Sequence, residues 1–314
     1  MPRPYRLQEK GLLYHITSRG DDRKKIFISA TDFEKFLFYV SSAKEKLDFY
    51  LYAYCLMNNH YHLLLETNQP NLSKIMQYIN TSYTVYYNVK RKRCGHVFQG
   101  RFKSIIVDKD AYLKELTRYI HLNPVRAKMV KSPADYRWSS VHEYIKPAEN
   151  GIIDLDQLKP YMNIESTQYK EFLRQGIDKK GSPLVSSHSA GILGREGFVD
   201  KMLTAIKEQA INKDISHKKT IYGVDPERII ENVCRYYKQN PSILFSSRKK
   251  PLLSKKIAVY LLKRFSALTN REIGEKFSIS YSAVSKIFND VETLIKEDGE
   301  IKKDVGKTIS HLKV

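Results

Sequence analysis

Cysteine is scarce in this 314-residue chain: Cys55, Cys94 and Cys234 are its only three, an odd number with no Cys-x-x-Cys spacing. That pattern indicates neither a disulfide framework nor a zinc finger, and it fits a reducing cytoplasm. No apolar run reaches the roughly 18 residues of a membrane span, so no transmembrane helix is expected. The opening Met1-Pro2-Arg3-Pro4-Tyr5-Arg6 lacks the apolar stretch of a secretory signal. The expected location is cytoplasmic and nucleoid-associated. The spaced glycines Gly191, Gly194 and Gly197 follow no strand-like run and have no lysine placed as in a P-loop, so nucleotide binding is rejected there. Acid is the other shortage, with 34 Asp and Glu against 54 Lys and Arg.

The resulting net charge of +20 favours a polyanion as partner, nucleic acid before membrane. A hydrophobic content of 42% marks a globular chain, and its length suits two domains better than one. Tyrosine is abundant at 22, and such rings beside basic side chains suit stacking on unpaired bases, although most serve as packing.

Taken in order, Leu12–Arg19 is β-prone and ends at the turn Gly20-Asp21-Asp22. Residues 31–46 have helical spacing, with Thr31 and Glu34 as a candidate capping box. Phe49–Leu56 and His60–Glu66 read as a hairpin around Met57-Asn58-Asn59. A second helix opens at Asn71-Leu72, a strand covers Arg101–Val107, and Asp108 opens a third helix that stops at Asn123-Pro124. The order β-α-β-β-α-β plus a helix is that of a ferredoxin-like antiparallel sheet, expected to carry its helices on one face. From 226 onward the pattern is all-helical, and Thr269 with Glu272 forms another capping box. A short helix, the turn Ser278-Ile279-Ser280 and a helix from Tyr281 fit a helix-turn-helix, with Tyr281, Ser282, Ser285 and Lys286 facing outward toward DNA. A purely structural helical domain is the rival reading.

Chemistry centres on His60-Tyr61-His62. In a strand these two imidazoles share a face about 6.5–7 Å apart along the backbone, close enough to converge on one metal ion. Tyr119 and Asn123, four apart on the third helix, also share a face. A tyrosine hydroxyl beside a bound metal is an available nucleophile, and periodicity alone equally fits Tyr119 as a half-buried core residue. His121, two positions from Tyr119, points elsewhere. From Lys90 to Lys103 there are six Lys or Arg and no acid, a candidate phosphate track through Lys90, Arg91, Lys92, Arg93, Arg101 and Lys103.

These residues resemble a known family. His60-Tyr61-His62 with Tyr119-Ile120-His121-Leu122-Asn123-Pro124-Val125-Arg126-Ala127 is similar to the HUH single-tyrosine transposases of the IS200-like class, and most of all to the REP-associated tyrosine transposases. Tyr14–Gly20 and Phe98–Lys103 share the likeness, and Arg19 joins the expected DNA contacts. The resemblance covers roughly residues 5–145. It implies that His60 and His62 bind Mg²⁺ or Mn²⁺, that Tyr119 is the nucleophile, and that Asn123 stands where the related insertion-sequence enzymes carry a Gln ligand. The region Ser254–Asn289 resembles the C-terminal DNA-binding domain of the initiator DnaA. It departs from that family at Ser280-Tyr281-Ser282-Ala283, where its Asp-His-Thr-Thr run stands.

The expectation is an α+β protein. Residues 1–145 form the HUH catalytic domain, 146–225 a linker and helical connection, 226–296 the helix-turn-helix domain and 297–314 a basic tail. Its expected activity is metal-dependent cleavage and joining of single-stranded or hairpin DNA through a phosphotyrosine. The alternatives are a DNA-binding regulator that has lost catalysis and a replication or conjugation nickase. A monomer is favoured over a homodimer.

Overall fold

The computed structural model describes residues 6–147, 151–162, 165–178, 181–188, 190–212, 224–246, 251–310 and 312. The chain divides into two compact units, Gln8–Ser186 and Ser187–Val314 with Met1–Leu7.

The first unit follows the expected order: β1 (Leu13–Arg19), α1 (Ala30–Leu47), β2 (Phe49–Met57), β3 (His60–Thr67), α2 (Leu72–Lys90), β4 (Lys103–Val107) and α3 (Lys109–His121). Within it the strands lie in the order β2-β3-β1-β4. Each of those pairings is antiparallel. Met57 pairs with His60, so Asn58-Asn59 alone makes the hairpin turn. The turn is pinned from outside, because Ile26 and Phe27 donate to the Asn58 carbonyl and Gly20 to that of Asn59.

Helices cover both faces of the sheet, not one. Phe36 of α1 packs 4.7 Å from Tyr61, and Tyr61 donates to Asn80 of α2 at 2.7 Å. The neighbours His60 and His62 therefore point the other way, to the face that α3 covers. The single-face expectation failed because strand alternation marks two buried faces as a nearly continuous apolar run, and β2 is such a run.

The cap of α1 lies two residues before the expected one. Ser29 precedes the helix, and its N–H and that of Ile28 donate to Asp32, 2.9 Å each. The Asp32 side chain is fully buried and receives Lys90 at 2.8 Å and Arg91 at 2.5 Å. Burial pushes this carboxyl up, but the hydrogen bonds from Arg91, Lys90, Ser29 and Ile28 outweigh it and hold it below the usual carboxylate range.

The expected boundary at 145 also moves. After α4 (Asn123–Arg126) and α5 (Val141–Ile145), α6 (Ser166–Ile177) still belongs to the first unit. Tyr169 of α6 is buried and meets His121 Nδ1 at 2.5 Å, and Asp154 accepts from Leu51 N–H at 2.8 Å. Gly176 allows this packing: a Cβ there would lie 2.6 Å from Arg118 Cδ. Parts of the expected linker 146–225 lie outside the described residues.

The second unit is helical: α7 (Glu196–Asn212), α8 (Pro226–Tyr237), α9 (Pro241–Phe245), α10 (Leu253–Phe265), α11 (Asn270–Phe277), α12 (Tyr281–Glu297) and α13 (Gly299–Ser310). Ile229, Val233, Ile257, Leu261, Ile273, Phe277, Val284 and Val291 fill its core. The Thr269–Glu272 capping box is present at the start of α11. Gly274 lets the following turn close, since a Cβ would stand 2.7 Å from the Ile279 carbonyl oxygen. The expected basic tail is largely α13, whose Val305, with Leu312 beyond it, joins this core. Its lysines hid an apolar stripe at helical spacing.

Asp32→Ala leaves Lys90 and Arg91 without their carboxylate and strips two backbone N–H groups of their acceptor. It should cost roughly 3 kcal/mol, read as a lowered midpoint in urea unfolding with an unchanged slope.

Candidate active site

The antiparallel register of β1 against β3 sets Thr17 opposite His62 and Arg19 opposite His60. Side-chain alternation then puts His15, Thr17, Arg19, His60 and His62 on one face. The two expected imidazoles do come together, with ring centroids 5.1 Å apart and nearly perpendicular. Tyr119 joins them from α3, its ring edge-on to His62 at 6.1 Å and to His15 at 6.4 Å.

His15 is the residue that sequence reasoning missed. Its ring stacks on His62, and its Nε2 lies 2.9 Å from His62 Nδ1. One of these two nitrogens carries the shared proton. When His62 Nδ1 donates it, His62 Nε2 keeps a free lone pair. The other nitrogen of His15 is buried with no partner among the described residues. A signal existed: His15 shares its strand face with Thr17 and Arg19 in a motif already singled out.

Around the pair lies a cavity of ≈ 580 Å³ lined by Thr17, Ser18, Arg19, Arg23, Asn59, His60, His62, Gln99, Arg101 and Lys103. Four of these are Arg or Lys and none is a carboxylate. Asn59 Oδ1 stands 2.7 Å from His60 Nδ1. It takes the proton of that nitrogen and leaves Nε2 with its lone pair. Burial lowers the pKa of His60, with Arg19 adding to it. Burial, then His15 and His60, lower that of His62 further, and burial takes His15 down to about 3. All three rings are thus neutral at neutral pH, the state in which an imidazole binds a metal.

The donor set fits a divalent ion through two nitrogens. Among the described residues no group of three or more His, Cys, Asp or Glu side chains is placed to hold one. Asn123 does not line this cavity. It opens α4, and its Nδ2 donates to the Tyr119 carbonyl at 3.0 Å. His121 points away as expected, held between Tyr169 and the Ser140 hydroxyl at 2.7 Å.

The expected basic track divides. Arg19, Arg101 and Lys103 line the cavity, with Arg23 and Gln99 beside them. Lys90 and Arg91 are both paired with Asp32, and the sequence could not show this because the acid lies 58 positions from Lys90. Lys92 and Arg93 are exposed and lie outside the cavity lining. In the second unit Tyr281, Ser282 and Lys286 are exposed. Ser285 departs from the outward set: it donates to Glu196 at 2.6 Å and accepts from Asn270 at 3.2 Å.

A split βαβ sheet bearing a His-x-His strand, with a helix-borne tyrosine against it, is the arrangement that the resemblance to HUH single-tyrosine transposases implies. Residues 8–123 match the family model of IS200-like transposases. A protein of Haemophilus influenzae, whose name provisionally makes it a REP-associated tyrosine transposase, is 28% identical over 149 residues, which are 44% of this chain and 84% of that one. The chain is also similar to a solved structure of a REP-associated tyrosine transposase bound to a REP hairpin, at 18% identity and a TM-score of 0.42, covering 61% of this chain and 97% of the other. Among the described residues no helix is long and apolar enough to cross a membrane.

His15, His62 and His121 are neutral and buried when folded, and each ring takes up a proton on unfolding below its ordinary pKa. The folded state binds fewer protons, so stability is complete above about pH 6.5 and falls as pH drops, by roughly 2 kcal/mol per ring at pH 5. Calorimetry should show the thermal midpoint of the first unit falling between about pH 7 and pH 5, with ¹⁵N spectra showing His15 and His62 still neutral in the folded protein.

Proposed function

We propose that the first unit cleaves and rejoins single-stranded DNA, with Tyr119 as nucleophile and His60 and His62 as the protein's ligands to Mg²⁺ or Mn²⁺. The observation that carries this reading is the convergence of Tyr119 on His62, beside a cavity rimmed by cations and free of carboxylates. Tyr119 Oη attacks the phosphorus, and its proton passes through water to the departing O3′. The P–O3′ bond breaks, the leaving strand departs with a 3′-OH, and the other strand remains as a 5′-phosphotyrosine. The ester energy stays in that bond, so a second 3′-OH can reverse the step without ATP. A bound divalent ion supplies polarisation of the scissile phosphate and neutralises its developing charge. Arg19, Arg23, Arg101 and Lys103 hold the backbone phosphates, and His15 orients His62. Asn123 lies outside the His cavity lining, so His60 and His62 are the protein side chains that would hold the ion.

The curated relative's association with REP elements, which are palindromic, supports a hairpin as substrate. The turn between α11 and α12 presents Tyr281, Ser282 and Lys286, and we assign it as a helix-turn-helix that adds a duplex contact. The working form is a monomer in the cytoplasm, at the nucleoid. One observation favours the rival reading of a non-cleaving DNA-binding regulator: the described residues offer no third His, Cys or carboxylate ligand.

Labelled hairpin oligonucleotides incubated with the protein and Mn²⁺ should give an adduct that survives denaturation. Tyr119→Phe should abolish it. His60→Ala and His62→Ala should lose it while keeping DNA affinity within about threefold, since affinity rests on phosphate contacts. An adduct formed by Tyr119→Phe means another nucleophile, and none from wild type across hairpin substrates favours the regulator. His15→Phe should weaken Mn²⁺ binding, measured calorimetrically, by about 10- to 100-fold.

A further inference from the structure

Tyr119 borders a second cavity that shares no lining residue with the first. This one measures ≈ 320 Å³ and is walled by Tyr112, Arg118, Tyr119, Arg126, Ser182 and Pro183, among others. Its two arginines differ in what they can still bind. Arg118 is committed: it pairs with Glu115, donates to the Phe172 carbonyl at 3.4 Å and lies 4.2 Å over the Phe172 ring. Arg126 is exposed, its guanidinium 5.0 Å over the Tyr119 ring, with one long bond of 3.4 Å to the Tyr119 carbonyl. No ion pair ties it to a carboxylate among the described residues.

A strand whose phosphorus is presented to Tyr119 must continue in both directions from that atom. One direction is served by the His cavity, whose wall His62 touches one side of Tyr119. The other direction leads past Tyr119, where the second cavity opens. It offers an unpaired cation for a phosphate and a half-buried aromatic ring, Tyr112, for a base. Ser182 and Pro183 lie beyond the residues that match the family model, so one wall of this cavity comes from the chain's own extension.

We propose that this second cavity seats the nucleotide next to the scissile phosphate, with Arg126 on its phosphate and Tyr112 against its base. The proposal rests on Tyr119 as nucleophile. Arg126 and Tyr112 then set which nucleotide is tolerated beside the break, a selectivity separate from recognition of the hairpin.

The test uses the full-length Tyr119→Phe protein and single-stranded hairpin oligonucleotides in which one 5-iodouracil is moved position by position. After irradiation the cross-linked peptide is located by mass spectrometry. One position, adjacent to the wild-type cleavage point, should link to Tyr112. Arg126→Gln should abolish that cross-link and weaken binding about tenfold, the worth of one charge-assisted contact, and Arg126→Lys should restore most of it. Should Arg126→Gln lower the melting temperature, Ser182→Trp, which places a bulky ring at the cavity wall, is expected to give the same loss. Cleavage by wild type with no cross-link to Tyr112 and an unchanged affinity for Arg126→Gln overturns the subsite and leaves the nucleophile standing. Cross-linking to Tyr112 with no cleavage by wild type sinks the nucleophile and keeps the cavity as a DNA-binding subsite.

Discussion

The face that carries His15, His60 and His62 exists because β3 is held in one register against β1. A slip of a single residue would turn His60 and His62 to the face occupied by α1 and α2 and bring Tyr61 to face Tyr119. Two things forbid the slip. Tyr61 is fully buried against Phe36 and hydrogen-bonded to Asn80, and the two-residue Asn58-Asn59 turn has no slack, its carbonyls being held by Gly20, Ile26 and Phe27. The apolar member of the His-Tyr-His triplet is therefore as much a part of the site as the two imidazoles it separates.

Much of this was legible in the residues. The strand and helix order, the hairpin and the shared face of His60 and His62 follow from alternation and helical spacing, while the family resemblance alone brought Tyr119 to them and named the chemistry. What stayed hidden depends on contacts between residues far apart in the chain. His15 lies 47 positions from the His62 it touches, and only the β1–β3 register brings them together. Asp32 pairs with Lys90 and Arg91 of a run that reads as uniformly basic. Ser285 has the residue type of a DNA contact, yet Glu196 takes its hydroxyl. In each case local pattern gives the side chain's direction and a distant partner decides its use.

The charge surplus is likewise structured rather than spread. Some of the basic side chains rim the His cavity, and others pair with buried or half-buried acids such as Asp32 and Glu66, the latter paired with Lys109 at 2.6 Å. The net charge of +20 already counts these acids, so their pairing changes where the surplus is displayed and not its size. Burial of the His15 and His62 rings keeps them neutral and so adds nothing to the positive charge around the cavity.

The glycine at 176 has a consequence for how such proteins are assembled from parts. By letting α6 lie directly on Arg118, it stitches some fifty residues beyond the family-matching segment onto the helix that carries Tyr119. A graft cut at residue 123 or 145 would strip Tyr169 from His121 and leave a polar ring facing water in place of its partner. The seam at which this unit can exchange one tail for another therefore falls after Ser186, and chimaeras that respect it inherit the His–Tyr site with its supporting packing.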